Sequence, residues 1–195
     1  QALHARDGQL VVAVGNDHTL HNILIQAANT KVVVGFIPLG GEQIIAPLLH
    51  IPLGLEACNA ISRRFIKKFF LGRANSHSFL AFFKTKINKN VSVSCDHSWA
   101  LAPRHSAALT LYNVGPVPLP HGKIRSANGE DDILEGSLVS AGNGFLPFGQ
   151  EDRSVFFARE VQVRGLSGTF DVQCDGERFS TNEALVSIAS QKISM

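Results

Sequence analysis

One stretch of the chain, residues 10–39, combines two buried-strand patterns with a helix pattern between them. Residues 10–14 (LVVAV) and 31–37 (KVVVGFI) are apolar and rich in β-branched side chains, which is typical of strands buried on both faces of a parallel sheet. Between them, the turn formers of residues 15–19 (GNDHT) precede apolar side chains at helical spacing. A right-handed crossover places this turn at the carboxyl end of the first strand, where open α/β sheets bind ligands.

The turn at residues 15–19 has two interpretations. Either Asp17 or Thr19 is a suitable cap for the helix that follows. The exposed amides of a helix start also attract phosphate groups. Turns of this composition are common in α/β proteins, so the residues alone leave both interpretations open.

Two motifs in this stretch resemble the catalytic domain of diacylglycerol kinases and their relatives, the bacterial lipid kinases and sphingosine kinases. In that family a strand runs into GGDGT and a helix. The chain keeps Gly15, Asp17 and Thr19 of this motif. Asn16 and His18 replace its second and third glycines. The resemblance implies a catalytic role for Asp17, and nucleotide binding by Gly15, Asn16, Asp17 and Thr19.

The second motif, PLGGEQIIA at residues 38–46, resembles the family's PLGTGNDFA. Residues 41–45 stand where the family has Thr, Gly, Asn, Asp and Phe. The resemblance implies that Gly40 and Gly41 contact the nucleotide. A carboxylate at Glu42 would repel a nucleotide phosphate unless a metal ion lies between them.

Length and composition restrict the class of protein. The 195 residues, 45% of them hydrophobic, suffice for one large or two small domains. A net charge of +2 argues against a nucleic-acid-binding protein. The longest apolar run, residues 44–55, contains two prolines and is too short to span a bilayer, so any membrane contact would be peripheral. Three widely spaced cysteines and the lack of a signal-peptide pattern predict a cytoplasmic protein.

The family places further βα units before its GGDGT strand, so the resemblance implies an N-terminal truncation. Two parallel strands alone make a thin sheet. Three explanations are left open. The earlier units were lost, the sequence begins within a longer protein, or a second copy of the chain completes the sheet.

From residue 71 the pattern changes to short strands separated by polar turns. This pattern predicts an antiparallel β-sandwich or barrel. The architecture predicted is therefore α/β plus all-β, with a partial Rossmann-like nucleotide domain at residues 1–70 and a β-sandwich lipid-substrate domain at residues 71–195. Strands are predicted at residues 78–87, 91–95, 108–114, 136–141, 155–157, 160–164, 169–174 and 184–189.

Residues 63–70 (RRFIKKFF) form the most basic segment, and apolar residues stand among its cations. This segment has two interpretations. It is either a solvated face at a domain boundary, or a segment that contacts anionic lipid head groups or a nucleotide phosphate.

Residues 170–179 (FDVQCDGERF) predict two strands joined by a turn at Asp175, Gly176 and Glu177. An ordinary hairpin turn explains this pattern. The turn also resembles the terminal DGE motif of the family, in which the aspartate faces the cleft. The resemblance implies that Asp175 is the base for the lipid hydroxyl, with Glu177 nearby, since phosphoryl transfer needs an acceptor for the hydroxyl proton.

Residues 126–136 (SANGEDDILEG) resemble the family's NPEDGLLDV loop. Asp131 stands at its aspartate and Asp132 at its glycine. Carboxylates of this kind bind Mg²⁺, although acidic surface turns are more common. The resemblance implies ATP and Mg²⁺ as cofactors, with Asp131 and Asp132 as metal ligands.

The motifs together imply an ATP-dependent kinase that phosphorylates a lipid hydroxyl, such as that of a diacylglycerol. NAD kinases share the GGDGT motif, but a β-rich second half ending in DGE fits the lipid kinases better. The alternative is a catalytically inactive relative that binds a lipid, a nucleotide or a partner protein. His18, Glu42 and the missing GND of the second motif favour this alternative.

Overall fold

The structure is a computed structural model that describes residues 8–28, 30–41, 43–101, 105–140 and 152–195. The first part of the chain forms β1 (Leu10–Gly15), α1 (Asp17–Ala27), β2 (Val33–Pro38), α2 (Ile45–Leu48), α3 (Glu56–Ser62) and β3 (Lys68–Ala74). The middle part forms β4 (His77–Phe79), β5 (Phe82–Ile87), β6 (Val91–Cys95), β7 (Trp99–Leu101), β8 (Ala107–Tyr112), β9 (Gly115–Pro118), a 3-10 turn (Pro120–Gly122) and β10 (Ile124–Ala127). The last part forms β11 (Leu134–Ser140), β12 (Asp152–Ala158), β13 (Glu160–Gly165), β14 (Phe170–Cys174), β15 (Glu177–Thr181) and β16 (Glu183–Ser194).

The predicted strand, helix and strand at the start of the chain are confirmed. Strands β1 and β2 are parallel and pair from Leu10 with Val33 to Gly15 with Pro38. Helix α1 buries Leu20, Leu24 and Ala27 in a core shared with the sheet. The turn between β1 and α1 therefore lies at the carboxyl edge of the sheet, as expected for a right-handed βαβ unit.

Strand β16 connects the parallel strands to the rest of the protein. At its end, Ser194 pairs in parallel with Val33 of β2. Along the strand, other residues of β16 pair antiparallel with β3 and β13. The resulting mixed sheet has the order β1-β2-β16-β13-β6-β7, with β3 attached to β16 and β4 attached to β3.

An antiparallel sheet of order β12-β11-β8-β5-β14-β15 packs against the mixed sheet. One core holds side chains of both sheets, including Phe83, Leu109 and Val172 from the antiparallel sheet and Val161 and Val186 from the mixed sheet. Burying this apolar surface between two sheets is the main stabilisation of a β-sandwich. The predicted α/β plus antiparallel β architecture is thus confirmed.

One predicted strand is divided in the structure, and another strand forms across the predicted domain boundary. Residues 78–87 form β4 and β5 instead of one strand, because the amides of residues 80–82 bond to Asp175 and not to a neighbouring strand. Residues 68–74 form β3, which pairs with β16 and includes the predicted domain boundary at residue 70. That boundary stays a prediction.

Glu42 lies outside the described residues. Among the described residues, no helix is both long and apolar enough to cross a bilayer.

Candidate active site

Helix α1 starts at a turn that is held by its own side chains. Asn16 is the cap residue, and its Oδ1 accepts hydrogen bonds from the amide and the hydroxyl of Thr19, both at 3.2 Å. The prediction of Asp17 or Thr19 as cap was wrong, because Asp17 is already helical and its side chain turns away from the helix start. Gly15 has φ +149°, and a Cβ there would lie 2.6 Å from Thr19 Oγ1, so this position requires glycine.

The Asp17 carboxylate joins the two predicted nucleotide motifs. Asp17 is buried, and its Oδ2 accepts hydrogen bonds from the amides of Ile44 at 2.5 Å and Ile45 at 3.1 Å. These amides begin helix α2, where a carboxylate is favourable because the helix dipole places positive charge there. Asp17 therefore fixes the segment that follows β2 against the start of α1.

The Gly40-Gly41 turn lies beside the cap of α1. Both glycines have φ +62°, and a Cβ on Gly41 would lie 3.3 Å from Asn16 Nδ2. Gln43 Nε2 donates to the carbonyls of Gly40 at 2.7 Å and Gly15 at 3.2 Å. Apart from its chain neighbours, no atom of the described residues lies within 4 Å of a Cβ placed on Gly40, so these residues leave this side of the turn open. The structure thus brings together all the residues predicted to bind nucleotide.

Asp175 lies in the turn between β14 and β15, as predicted, and is almost completely buried. Its Oδ2 accepts from the Leu80 amide at 2.6 Å, and its Oδ1 accepts from the amides of Ala81 at 3.0 Å and Phe82 at 2.9 Å. Burial raises the pKa of Asp175 to about 6, although these three hydrogen bonds act in the opposite direction. The carboxylate holds the segment between β4 and β5 in place.

The turn with Asp175 lies against the start of α1. A Cβ on Gly176 would be 3.8 Å from Asp17 Cβ, and the charge of Asp17 contributes to the raised pKa of Asp175. Glu177 Oε1 lies 3.4 Å from His21 Nε2, and Glu177 Oε2 lies 3.4 Å from His77 Nδ1. The predicted catalytic residues Asp17, Asp175 and Glu177 therefore lie together where the start of α1 contacts the turn between β14 and β15.

Sequence reasoning missed the two histidines at Glu177. His21 is buried on α1, four residues after Asp17 and so on the same helix face. Burial lowers the pKa of His21, while the charge of Glu177 opposes this effect. His77 stacks on Phe179 with ring centres 3.9 Å apart. The helical spacing of Asp17 and His21 was visible in the sequence, whereas nothing local pointed to His77.

The predicted metal ligands make other contacts. Asp131 Oδ1 accepts from the Ile133 amide at 3.1 Å, and Asp132 Oδ2 lies 3.5 Å from Arg159 Nε at the surface. In the described parts of the chain, no three histidine, cysteine or acidic side chains are placed to hold a metal ion. Asp131 and Asp132 therefore do not form a metal site with other described side chains. Mg²⁺ binding at these two residues stays a prediction.

The fold is similar to those of solved kinase structures. The crystal structure of a diacylglycerol kinase from Bacillus anthracis str. Sterne superposes with a TM-score of 0.71 at 15% identity, covering 95% of this chain and 75% of that one. An NAD kinase from Archaeoglobus fulgidus in complex with ATP gives a TM-score of 0.54 at 13% identity, covering 95% and 76%. No protein-family model and no curated protein matches the sequence. The diacylglycerol kinase-like fold that the motifs implied is confirmed.

Proposed function

We propose that the chain is an ATP-dependent lipid kinase-like protein that transfers a phosphoryl group to a lipid hydroxyl, such as that of a diacylglycerol. The observation that carries the proposal is the contact between two distant motifs. The start of α1 meets the turn with Asp175 and Glu177, with His21 and Glu177 3.4 Å apart. The fold shared with a diacylglycerol kinase, and with an NAD kinase that binds ATP, supports a kinase over other α/β proteins.

The nucleotide phosphates would lie over the start of α1 and the Gly40-Gly41 turn. Backbone amides at a helix start attract phosphate, and glycines let the backbone approach it closely. Asp17 would act as a positioning residue, because its Oδ2 already accepts from Ile44 and Ile45 and thereby holds the second motif against the first. Mg²⁺ would enter as part of the Mg-ATP substrate and neutralise phosphate charge.

In the proposed reaction the lipid hydroxyl oxygen bonds to the γ-phosphorus of ATP. The bond from that phosphorus to the bridging oxygen of ADP breaks, and the hydroxyl proton passes to a carboxylate. The products are a phospholipid and ADP.

Two carboxylates compete for the role of base. A pKa of about 6 suits Asp175, but this residue is 1% exposed and already accepts three hydrogen bonds. The Glu177 side chain is 29% exposed and belongs to the same turn. Because a base must first reach the proton, the proposal assigns contact with the hydroxyl to Glu177 and positioning of the turn to Asp175.

The second candidate function is a catalytically inactive module that binds a lipid, a nucleotide or a partner protein. The contacts of Asp17 and Asp175 favour it, because both carboxylates are bonded to backbone amides and act there as structural groups. Such roles would be preserved after catalysis is lost.

Calorimetric titration with Mg-ATP, followed by a phosphoryl-transfer assay on diacylglycerol in detergent micelles, separates the two functions. We expect saturable Mg-ATP binding that Asp17→Ala weakens. Glu177→Gln should keep nucleotide binding and lose turnover. Asp171→Asn, which changes an exposed carboxylate on β14, is the matched control and should change neither quantity.

Turnover that is lost in Asp175→Asn but kept in Glu177→Gln would assign the base to Asp175. Mg-ATP binding without transfer to any lipid hydroxyl would favour the inactive module. Absence of binding by the folded chain, or transfer that neither carboxylate variant changes, would contradict the kinase proposal.

A further inference from the structure

A second concave region lies apart from the candidate active site. It is a cavity of about 1000 Å³ between the β1–β2 end of the mixed sheet, helix α3 and residues 126–130. Its described lining includes neither the turn at residues 15–19 nor the turn at residues 175–177. This volume is at the upper end of the range for small-molecule sites. The cavity is therefore large enough for a ligand of its own.

The walls of the cavity are mostly apolar. Phe36 and Phe69 are buried at its floor, and Leu49, Ile51 and Val114 contribute further apolar surface. Apart from its cations, the polar side chains of the described lining are His50, Ser126, Asn128 and Glu130. A ligand that fills this space must therefore bury a large apolar part.

Three cations stand at the cavity in a segment that is fixed at both ends. Arg63, Arg64 and Lys67 are exposed, and none of them forms an ion pair with another described residue. Arg63 is the C-cap residue that follows α3, and Lys67 exchanges backbone hydrogen bonds of 2.6 and 2.8 Å with Met195. Glu130 is the single acidic residue of the described lining, so the local charge is positive and favours an anion.

Two apolar side chains stand exposed among these cations. Phe65 is 77% exposed and Ile66 is 51% exposed, and both also line the cavity. Aromatic and aliphatic side chains beside lysine and arginine are typical of protein surfaces that meet an anionic bilayer. The segment thus offers both contacts that an amphiphile needs, one charged and one apolar.

We infer that this cavity binds an anionic amphiphile, with its acyl chain inside and its phosphate or carboxylate head against Arg63, Arg64 and Lys67. The inference goes beyond the proposed phosphoryl transfer and does not depend on it, since the cavity shares no described residue with the turns of the candidate active site. A nucleotide is a poorer fit, because the walls offer few hydrogen-bonding groups for a base and a ribose.

The test is calorimetric titration of the full chain with dodecyl phosphate below its micelle concentration. We expect saturable binding of one molecule per chain, much tighter than that of inorganic phosphate or the zwitterion dodecylphosphocholine. Arg63→Gln with Arg64→Gln should weaken binding about 25-fold, taking about fivefold per charge. Ala60→Phe should weaken binding, because Ala60 lines the cavity and the larger side chain takes up part of its space.

The matched charge control is Lys84→Gln with Lys86→Gln, which removes two exposed cations from β5 and should leave binding unchanged. Circular dichroism checks that each variant is folded. Failure of the folded chain to bind dodecyl phosphate would overturn the inference. Equal binding of inorganic phosphate, displacement of the amphiphile by ATP, or binding that neither Ala60→Phe nor the double arginine variant weakens would overturn it as well.

A second arm identifies the source of the amphiphile. Phosphatidylcholine vesicles with and without phosphatidic acid are sedimented with the chain. Association that needs phosphatidic acid, and that Phe65→Ser weakens, supports a ligand taken from a membrane. Binding of monomeric dodecyl phosphate without vesicle association supports a free anionic amphiphile in the same cavity.

Discussion

His21 Nε2 on helix α1 and Glu177 Oε1 at the start of β15 lie 3.4 Å apart, although the two residues come from opposite ends of the chain. His77 approaches the other Glu177 oxygen at the same distance. The groups that face His21 are Glu177, which favours its protonated form, and His18 and His77, which disfavour it. The charge state of this cluster is therefore set jointly by α1, β4 and β15.

We predict that the pKa of His21 in the folded protein is below its usual 6.5, and that Glu177→Gln lowers it further. Burial disfavours the imidazolium, and removal of Glu177 takes away its stabilising charge. His77→Gln should shift the pKa upward. Ring resonances followed by NMR against pH measure both shifts, with His97, which pairs with Glu160, as the control. A higher His21 pKa in Glu177→Gln would contradict the prediction.

The free energy of unfolding should depend on pH in part because of the raised pKa of Asp175. Its folded pKa of about 6 is above the usual 3.8, so the folded state binds more protons than the unfolded state between these values. The contribution of Asp175 to the free energy of unfolding therefore falls as pH rises from about 4 to 6, on the order of 3 kcal/mol.

Asp175→Asn should remove this fall in the free energy of unfolding with pH. The wild type should therefore exceed the variant in stability most near pH 4 and less toward pH 7. Urea unfolding across this range measures the difference. Asp171→Asn, at an exposed carboxylate, should give no comparable change. An advantage that grows with pH would contradict the assignment.

Asp17→Ala should destabilise the fold, by about 1–3 kcal/mol, because the amides of Ile44 and Ile45 lose a buried acceptor. Asp17→Asn keeps one acceptor oxygen and should cost less. Hydrogen exchange at the amides of Ile44 and Ile45, with urea unfolding, checks both statements. Unchanged exchange in Asp17→Ala would show that the carboxylate does not hold this segment.

Two glycine substitutions should differ in their effects. Gly15→Ala places its Cβ against Thr19 Oγ1 and should cost more than Gly40→Ala, whose Cβ meets no described residue and for which about 1–2 kcal/mol of backbone strain is expected. Replacing Thr19 by Ala as well should recover part of the loss at Gly15. Urea unfolding in a double-mutant cycle measures this coupling. If the Gly40 turn binds phosphate, Gly40→Ala should also weaken Mg-ATP binding.

Local patterns in the sequence were sufficient to predict the elements that a short run of residues specifies. β1, α1 and β2 were predicted because their apolar residues follow the periods of a buried strand and a helix. The turn at Asp175 was predicted because Asp-Gly between alternating residues favours a hairpin. The two glycine-containing motifs carried the resemblance, and with it the kinase-like fold.

The tertiary structure alone decided which of these residues meet. Asp17 or Thr19 was predicted as a helix cap, but the Asp17 carboxylate accepts from the amides of Ile44 and Ile45, because the chain returns there after β2. Asp175 divides one predicted strand into β4 and β5 by binding their connecting amides. Strand β16 links the parallel strands to the rest of the mixed sheet, because it pairs with β2 as well as with β3 and β13. Such partners are distant in sequence and are chosen by sheet topology and by the need to satisfy buried polar groups, which no local periodicity records.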